Sequence, residues 1–434
     1  MKKAALHNLG CKVNAYETEA MQEMLEQNGY EIVPFQEGAD VYIINTCTVT
    51  NMADRKSRQM IHKARKMNPE AVVVAAGCYV QTAEMQEKLD PDIDIVIGNN
   101  KKQDLIRILA EYWKEETLHP EQVEELIDIN HTKEYENLTL DRTAEHTRAY
   151  IKVQDGCNQF CSYCIIPFAR GRVRSRKAQD VTDEVRRLAE NGYKEVVLTG
   201  IHLSSYGMDL EKEEDLLHLI QSVHEVEGIE RIRLGSLEPR IITEEFAQTL
   251  ASLPKICPHF HLSMQSGCDE TLKRMNRRYT SAEYFEKCEI LRSAFEHPAL
   301  TTDVIVGFPQ ESEEEFEITR KFIEKVNFYE THVFKYSKRQ GTKAAAMEGQ
   351  IPEPVKGTRS AELIRIGKEH KKAFENWYIG KEIAVLFEEE IERDGQKIWV
   401  GHTREYIKVA LQSEENLQNC IRKVQIGRNA QIID

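Results

Sequence analysis

Residues 155–164 read DGCNQFCSYC and place Cys157, Cys161 and Cys164 within eight positions. Thiolate sulfur is a soft ligand that selects zinc, copper(I) or iron–sulfur clusters. Four sulfurs would close a structural zinc site, whereas three on one loop leave a metal or cluster with an open position. Two chemistries therefore stand: a zinc loop with a remote fourth ligand, or a cluster with one iron free to take a substrate. Three unliganded thiols at this density would be the least economical explanation.

Three further cysteines occur singly upstream: Cys11 in LGCKVN, Cys47 in IINTCTV and Cys78 in VAAGCYV. Each follows an apolar run of strand composition. The carboxyl ends of strands in a parallel sheet share one edge, so these thiols would converge although they are far apart in sequence. A lone buried cysteine is commonly just a small apolar residue. The same placement three times over favours ligands. Cys257, Cys268, Cys288 and Cys420 lack such a setting and are read as structural.

The elements that must position these residues can be read from periodicity and turn signals. A chain of 434 residues exceeds what one core supports, so two or three domains are expected. Residues 1–113 alternate strand and helix patterns, which predicts an α/β domain on a parallel sheet. Residues 114–145 are acid-rich and poor in apolar side chains and read as a linker with marginal structure. From 146 to 370, strand candidates begin at 149, 195, 231, 259, 301 and 331, with helical segments between them. A complete eight-fold barrel needs about 250 residues. The shorter span predicts a six-unit, partly open (β/α) barrel. Residues 355–378 form one helical segment, and 371–434 make a small β-barrel with a turn at Asp394–Gly395.

The opening MKKAALHNLGCK lacks the apolar core of a signal peptide, and no run reaches the 18 apolar residues of a membrane helix. The expectation is a cytoplasmic protein with no membrane partner, where ten cysteines are poor disulfide candidates.

Taken together, GCKVNAYETE, NTCTVTN, GCYVQ, the C-x3-C-x2-C loop, RGRVRSR, LTGIHLSSYG, SLEP, HLSMQSG, LKRMNRRYT and DVIVGFP resemble the methylthiotransferases of the radical S-adenosylmethionine superfamily. The resemblance covers nearly the whole chain; Cys268, where serine is frequent, is a small departure. It implies an N-terminal methylthiotransferase domain (1–113), a radical barrel (146–370) and a TRAM-like RNA-binding module (371–434). It also implies two [4Fe–4S] clusters, one on Cys157, Cys161 and Cys164 that cleaves S-adenosylmethionine, and one on Cys11, Cys47 and Cys78 that carries the sulfur. Tyr163, Gly200, Glu238 and Gln265 would contact S-adenosylmethionine. Their ordinary structural explanations are a packed aromatic for Tyr163, a tight turn for Gly200 and an arginine ion pair for Glu238. The wording around the upstream cysteines is similar to the branch that modifies N6-threonylcarbamoyladenosine at position 37 of tRNA. The other branches act on isopentenyladenosine or on a ribosomal-protein aspartate. Implied partners are a tRNA anticodon stem-loop and a flavodoxin- or ferredoxin-like electron donor. Rivals outside this class are a zinc-containing RNA-binding protein without catalysis and an iron–sulfur scaffold.

Net charge is −14, which by itself argues against a nucleic-acid partner. The arginines are uneven, however. Arg170, Arg172, Arg174 and Arg176 alternate and in an extended segment would share one face, a candidate RNA contact. Basic residues also concentrate at 55–66, 274–278 and 422–428.

Overall fold

The computed structural model describes residues 1–82, 90–114, 122–142, 147–211, 214–393 and 395–433. The N-terminal domain is a parallel sheet in the order Glu31–Ile32, Lys3–Asn8, Val41–Thr46, Val72–Gly77, Ile95–Ile97, Val123–Glu125. Its two central strands are buried along their whole length, as a sheet covered on both faces requires. The helices Lys12–Gln27 and Leu105–Lys114 cover one face, with Met21, Leu25, Leu105, Ile108 and Leu109 in the core. The helix Asn51–Met67 covers the other through Ile61 and Ala64.

Six parallel strands form the barrel: Arg148–Asp155, Glu195–Gly200, Arg231–Leu234, His259–His261, Ala299–Val306 and Glu330–Lys335. The third and fourth touch through the bridges Ile232↔Ile256 and Leu237↔Leu262. Among the described residues the first and last strands do not pair, so the barrel is open, as expected. The ladder expected over 259–265 breaks after His261, because Gln265 takes φ 68 and rejoins by one bridge to Val304. Ala149, Ile151, Val153, Val196, Leu198, Ile232, Leu234, Phe260, Val304 and Val306 join the helices in one core. The alternate set, including Arg148, Lys152, Glu195, Arg233, His259 and Asp303, lies on the opposite, inner face.

The segment read as a linker is built into the structure. Val123–Glu125 is the sixth strand of the first sheet. Leu138 and Leu140 are buried against Tyr16 and Ala20 of the first helix. The Tyr135 hydroxyl donates to the Lys152 carbonyl at 2.7 Å. Its apolar side chains are few, but these ones are spent between two domains, which composition cannot reveal. Residues 115–121 and 143–146 of that segment lie outside the described residues.

The helix Glu353–Asn376 packs on the last barrel strand and leads into five antiparallel strands ordered Cys420–Gln425, Glu382–Arg393, Gln396–Thr403, Lys408–Leu411, Ala430–Ile432. The helix therefore spans the 370/371 boundary drawn from sequence. A β-bulge at Phe387/Glu389 helps the sheet curl into a small barrel. Gly395 sits in the expected turn at φ 74; Asp394 lies outside the described residues.

This module seats against the amino ends of the barrel strands. Arg231 donates to the carbonyls of His402 and Ala384 at 2.9 and 3.0 Å, and Arg233 donates to that of Arg404 at 2.9 Å. Arg148 donates to the Tyr406 hydroxyl at 3.1 Å. Glu195 sits among them, bonded to Arg148 at 2.7 Å and Arg233 at 2.9 Å. No helix among the described residues is long and apolar enough to cross a membrane.

Glu195 is the carboxylate partner of both Arg231 and Arg233, so Glu195→Gln strands two buried cations, while Arg148 keeps its pairing with Glu388. The expected cost is about 3–5 kcal/mol, read by urea unfolding at neutral pH. Burial raises the Glu195 carboxyl, but Arg233 and Arg148 outweigh it and hold it well below its ordinary 4.5. Its contribution is complete above that ordinary value and is lost as pH falls toward the depressed native one. The variant's stability should accordingly fall less steeply below about pH 4.5 than that of the parent chain.

Candidate active site between two cysteine-bearing domains

Cys11, Cys47 and Cys78 follow the carboxyl ends of Lys3–Asn8, Val41–Thr46 and Val72–Gly77, three neighbours in one sheet. Two glycines permit the approach. Gly10 has φ 108, and a Cβ there would lie 3.0 Å from the Cys47 sulfur. Gly77 has φ 95, and its Cβ would lie 2.6 Å from Asn45 Oδ1. Cys78 accepts hydrogen bonds from Arg170 Nε at 3.3 Å and from Asn99 Nδ2 at 3.5 Å. Burial first, then the neighbouring Cys78 and Cys11, raise the Cys47 thiol.

Cys157, Cys161 and Cys164 lie on the loop after the first barrel strand. Gly156 has φ 70, and a Cβ there would sit 1.8 Å from the Arg172 carbonyl oxygen. Ser162 N–H donates to the Met275 carbonyl at 3.0 Å, and the Asn276 amide donates to the Phe160 carbonyl at 2.9 Å. Arg277 reaches the Cys161 sulfur at 3.4 Å and the Ser263 carbonyl at 3.1 Å. The segment 274–277 thus clamps the loop rather than offering its charge to solvent.

The donor sets fit clusters better than single zinc ions. Tetrahedral Zn–S bonds of about 2.3 Å place ligand sulfurs about 3.8 Å apart. Among the described residues, the groups of three whose ligand atoms all lie within 4.8 Å are His261/Asp303/His332 and His62/Asp90/Asp92, and neither cysteine triad is that tight. Burial pushes Cys47 and Cys157 up to about 11 and Cys164 up to about 12. Such thiols stay protonated near neutral pH unless a metal replaces the proton. They suit ligation rather than free nucleophilic chemistry.

A cavity of about 240 Å³ joins the two halves. It is lined by Val49 and Thr50, just after Cys47, and by Tyr163, Cys164, Gln265, Asp303 and Tyr336 from the barrel side. Of the four residues assigned to S-adenosylmethionine, Tyr163 and Gln265 lie here. Glu238 is at the end of its strand and pairs with Arg240 at 2.8 Å, its ordinary structural explanation. Gly200 is explained by close approach rather than by a turn: a Cβ would meet Gln154 Oε1 at 2.8 Å. That Gln154 amide donates to the Asp155 and Gly156 carbonyls and so supports the start of the three-cysteine loop.

The alternating arginines require a correction. Arg170, Arg174 and Arg176 are buried, and only Arg172 is exposed. Arg170 is paired to Glu17 and Asp155, Arg174 to Asp155 and Arg176 to Glu184. Guanidiniums on one face do repel one another, but the anions between the three buried ones are carboxylates of this chain, one of them, Glu17, supplied by a distant segment. Sequence reading also passed over His202. Burial, then Arg277 and Arg240, lower its imidazole to about 4, and its Nε2 is buried without a partner. Its place two residues after Gly200 was the available signal.

The Gly156 contact gives a direct check. Gly156→Ala should displace the loop and lower the iron bound per chain after anaerobic reconstitution. Gly357→Ala, within a helix with nothing inside 4 Å of the new Cβ, should leave it unchanged.

Residues 3–98 match the profile described as Uncharacterized protein family UPF0004, and residues 151–323 match the Radical SAM superfamily. The chain is 41% identical over 428 residues to the Threonylcarbamoyladenosine tRNA methylthiotransferase MtaB of Bacillus subtilis, covering 98% of this chain and 94% of the relative. Identity to the Aquifex aeolicus protein of the same name is also 41%, covering 89% and 93%. A tRNA-2-methylthio-N(6)-dimethylallyladenosine synthase of Clostridium botulinum is 35% identical, covering 91% and 88%. The fold is shared with the radical S-adenosylmethionine methyltransferase TsrM of Kitasatospora setae, at TM-score 0.57 and 15% identity over 80% of this chain and 74% of that one. With two cysteine triads in one interface and near full-length identity to such enzymes, the chain belongs to the radical S-adenosylmethionine methylthiotransferases.

Proposed function

We propose that this enzyme places a methylthio group on C2 of N6-threonylcarbamoyladenosine at position 37 of tRNA. The observation that carries the reading is the shared cavity: the loop after Cys47 and the loop ending at Cys164 line one space. Both triads then act on one target atom. The substrate branch rests on the 41% identity to proteins named for that nucleoside, against 35% for one named for the dimethylallyl form.

In this reading Cys157, Cys161 and Cys164 hold one [4Fe–4S] cluster, and Cys11, Cys47 and Cys78 hold a second. S-adenosylmethionine, when bound, supplies the methyl group and the radical. The chain's own residues bind and orient. Tyr163 and Gln265 wall the site beside Cys164, and Arg277 fixes the loop that carries Cys161. His202, Glu238 and Arg240 offer neutral, anionic and cationic groups to a zwitterionic ligand at the strand ends. The barrel wall and the N-terminal domain exclude water from the reacting carbon. An electron donor of the flavodoxin or ferredoxin kind completes the requirement.

For RNA, the buried arginines leave the helix Asn51–Met67 as the better surface. Arg55, Lys56, Lys63 and Lys66 are exposed and have no carboxylate partner among the described residues. This helix begins just beyond Val49 and Thr50, so phosphate contacts along it would bring an unstacked loop base to the cavity.

Expression in a strain lacking its own enzymes of this family, followed by mass spectrometry of tRNA nucleosides, tests the assignment. The intact chain should convert threonylcarbamoyladenosine to its 2-methylthio form, and Cys157→Ala should not. Modification of isopentenyladenosine instead would overturn the branch while keeping the chemistry. In filter binding of an anticodon stem-loop, replacing Arg55, Lys56 and Lys63 with Gln should flatten the log affinity–log salt slope by about 0.7–0.9 per residue. An unchanged slope would move the RNA elsewhere.

A further inference from the structure

Arg170 is fully buried where the two cysteine-bearing domains meet. Its Nη1 and Nη2 donate to the Glu17 carboxylate at 2.8 and 3.0 Å. Nη2 also donates to Asn14 Oδ1 at 2.7 Å, and Nη1 to Asp155 at 3.1 Å. The remaining donor, Nε–H, is directed at the Cys78 sulfur, 3.3 Å away. Asn99 donates to that sulfur at 3.5 Å and to the Ala169 carbonyl at 2.8 Å. Among the described residues, no side chain donates to the sulfur of Cys11 or Cys47. The other two sulfurs have backbone partners, at Asn14 and Val49, so it is side-chain donation to the triad that is one-sided.

The charges around this contact do not balance. Lys102, Lys152, Arg170 and Arg174 are at most 1% exposed and are linked through two carboxylates, Glu17 and Asp155, equally buried. Glu136 is a further buried acid beside the lysines, and it does not restore parity even when ionised. Uncompensated buried charge is costly. Three thiolates around an iron–sulfur cluster make the assembly net anionic, and one of those thiolates is already hydrogen-bonded to the network.

We propose that Arg170 joins the upstream cluster and the domain interface into one electrostatic unit. Its bond to Cys78 raises the reduction potential of that cluster, and the anionic cluster offsets the excess cations that dock the two domains. The inference rests on the reading of Cys11, Cys47 and Cys78 as cluster ligands. A cationic donor to a ligating sulfur stabilises the reduced, more negative form, so the sign of the shift is fixed. The consequence is an assembly check, since the interface that builds the active site closes fully only around a loaded cluster. Arg170 is a positioning residue and touches no substrate.

The test uses the full chain with Cys157, Cys161 and Cys164 all replaced by Ala, which isolates the upstream cluster. Potentiometric titration followed by electron paramagnetic resonance should place the Arg170→Gln potential below that of this parent, with Asn99→Ala moving it less in the same direction. Equal potentials at equal iron content would overturn the role of Arg170. Loss of all iron and acid-labile sulfide from the parent would remove the cluster reading and the proposal with it. Should Arg170→Gln fail to fold, hydrogen exchange of the parent, loaded and chelator-stripped, decides. Stripping should speed exchange in Lys12–Gln27 and Arg148–Asp155. Unchanged protection there, in the face of altered exchange at the Cys11 and Cys47 loops, would overturn the coupling.

Discussion

The structure depends on a set of buried charges that no single domain could tolerate. Glu17 comes from the first helix, Lys102 from the far end of the same domain, and Lys152, Asp155, Arg170 and Arg174 from the barrel. Apart, each domain would expose or bury unpaired charge. Together they satisfy nearly every donor and acceptor. Removing one partner strands the rest, so the docked geometry is close to all-or-none. That constraint brings the edge of one sheet, with its three cysteines, against the loop that carries the other three.

The first helix is the physical link. Met21 and Leu25 face the N-terminal sheet, while Asn14, Tyr16 and Glu17 are buried on another side. Tyr16 donates to the Leu138 carbonyl at 2.6 Å and to Glu184 at 3.1 Å. A helix buried on both an apolar and a polar face sits between domains rather than on a surface. It packs against the first two barrel strands, where an open barrel would otherwise expose its inner side. At the other end, the C-terminal module performs the same service for Arg148, Arg231 and Arg233. The barrel interior is accordingly polar and capped, unlike the packed apolar interior of a closed eight-fold barrel.

Charge in this protein is sorted by depth. Three of the four arginines of RGRVRSR are consumed internally by carboxylates, Arg170 also by a cysteine sulfur, and Arg277 is likewise committed to Cys161. Arg172 and the basic face of Asn51–Met67 remain exposed. A net charge of −14 and an RNA substrate are compatible because binding depends on a local potential and not on the average over the whole surface.

The sequence by itself determined the chemistry and the order of domains. Cysteine spacing on one loop, cysteines at three strand ends, and the switch from βα alternation to β-only composition are local patterns, and local patterns survive in one dimension. The motifs also singled out Tyr163 and Gln265, both of which line the shared cavity. Only the tertiary structure decided where the charges went. The alternation at 170–176 is real, but whether an extended segment faces solvent depends on what packs above it, and here that includes Glu17 of the first helix. The stretch 114–145 reads as a linker because its composition is polar, yet Leu138 and Leu140 within it are buried at a domain junction. Partners supplied from more than a hundred residues away leave no periodic mark in a sequence. They become legible only once the chain has folded around them.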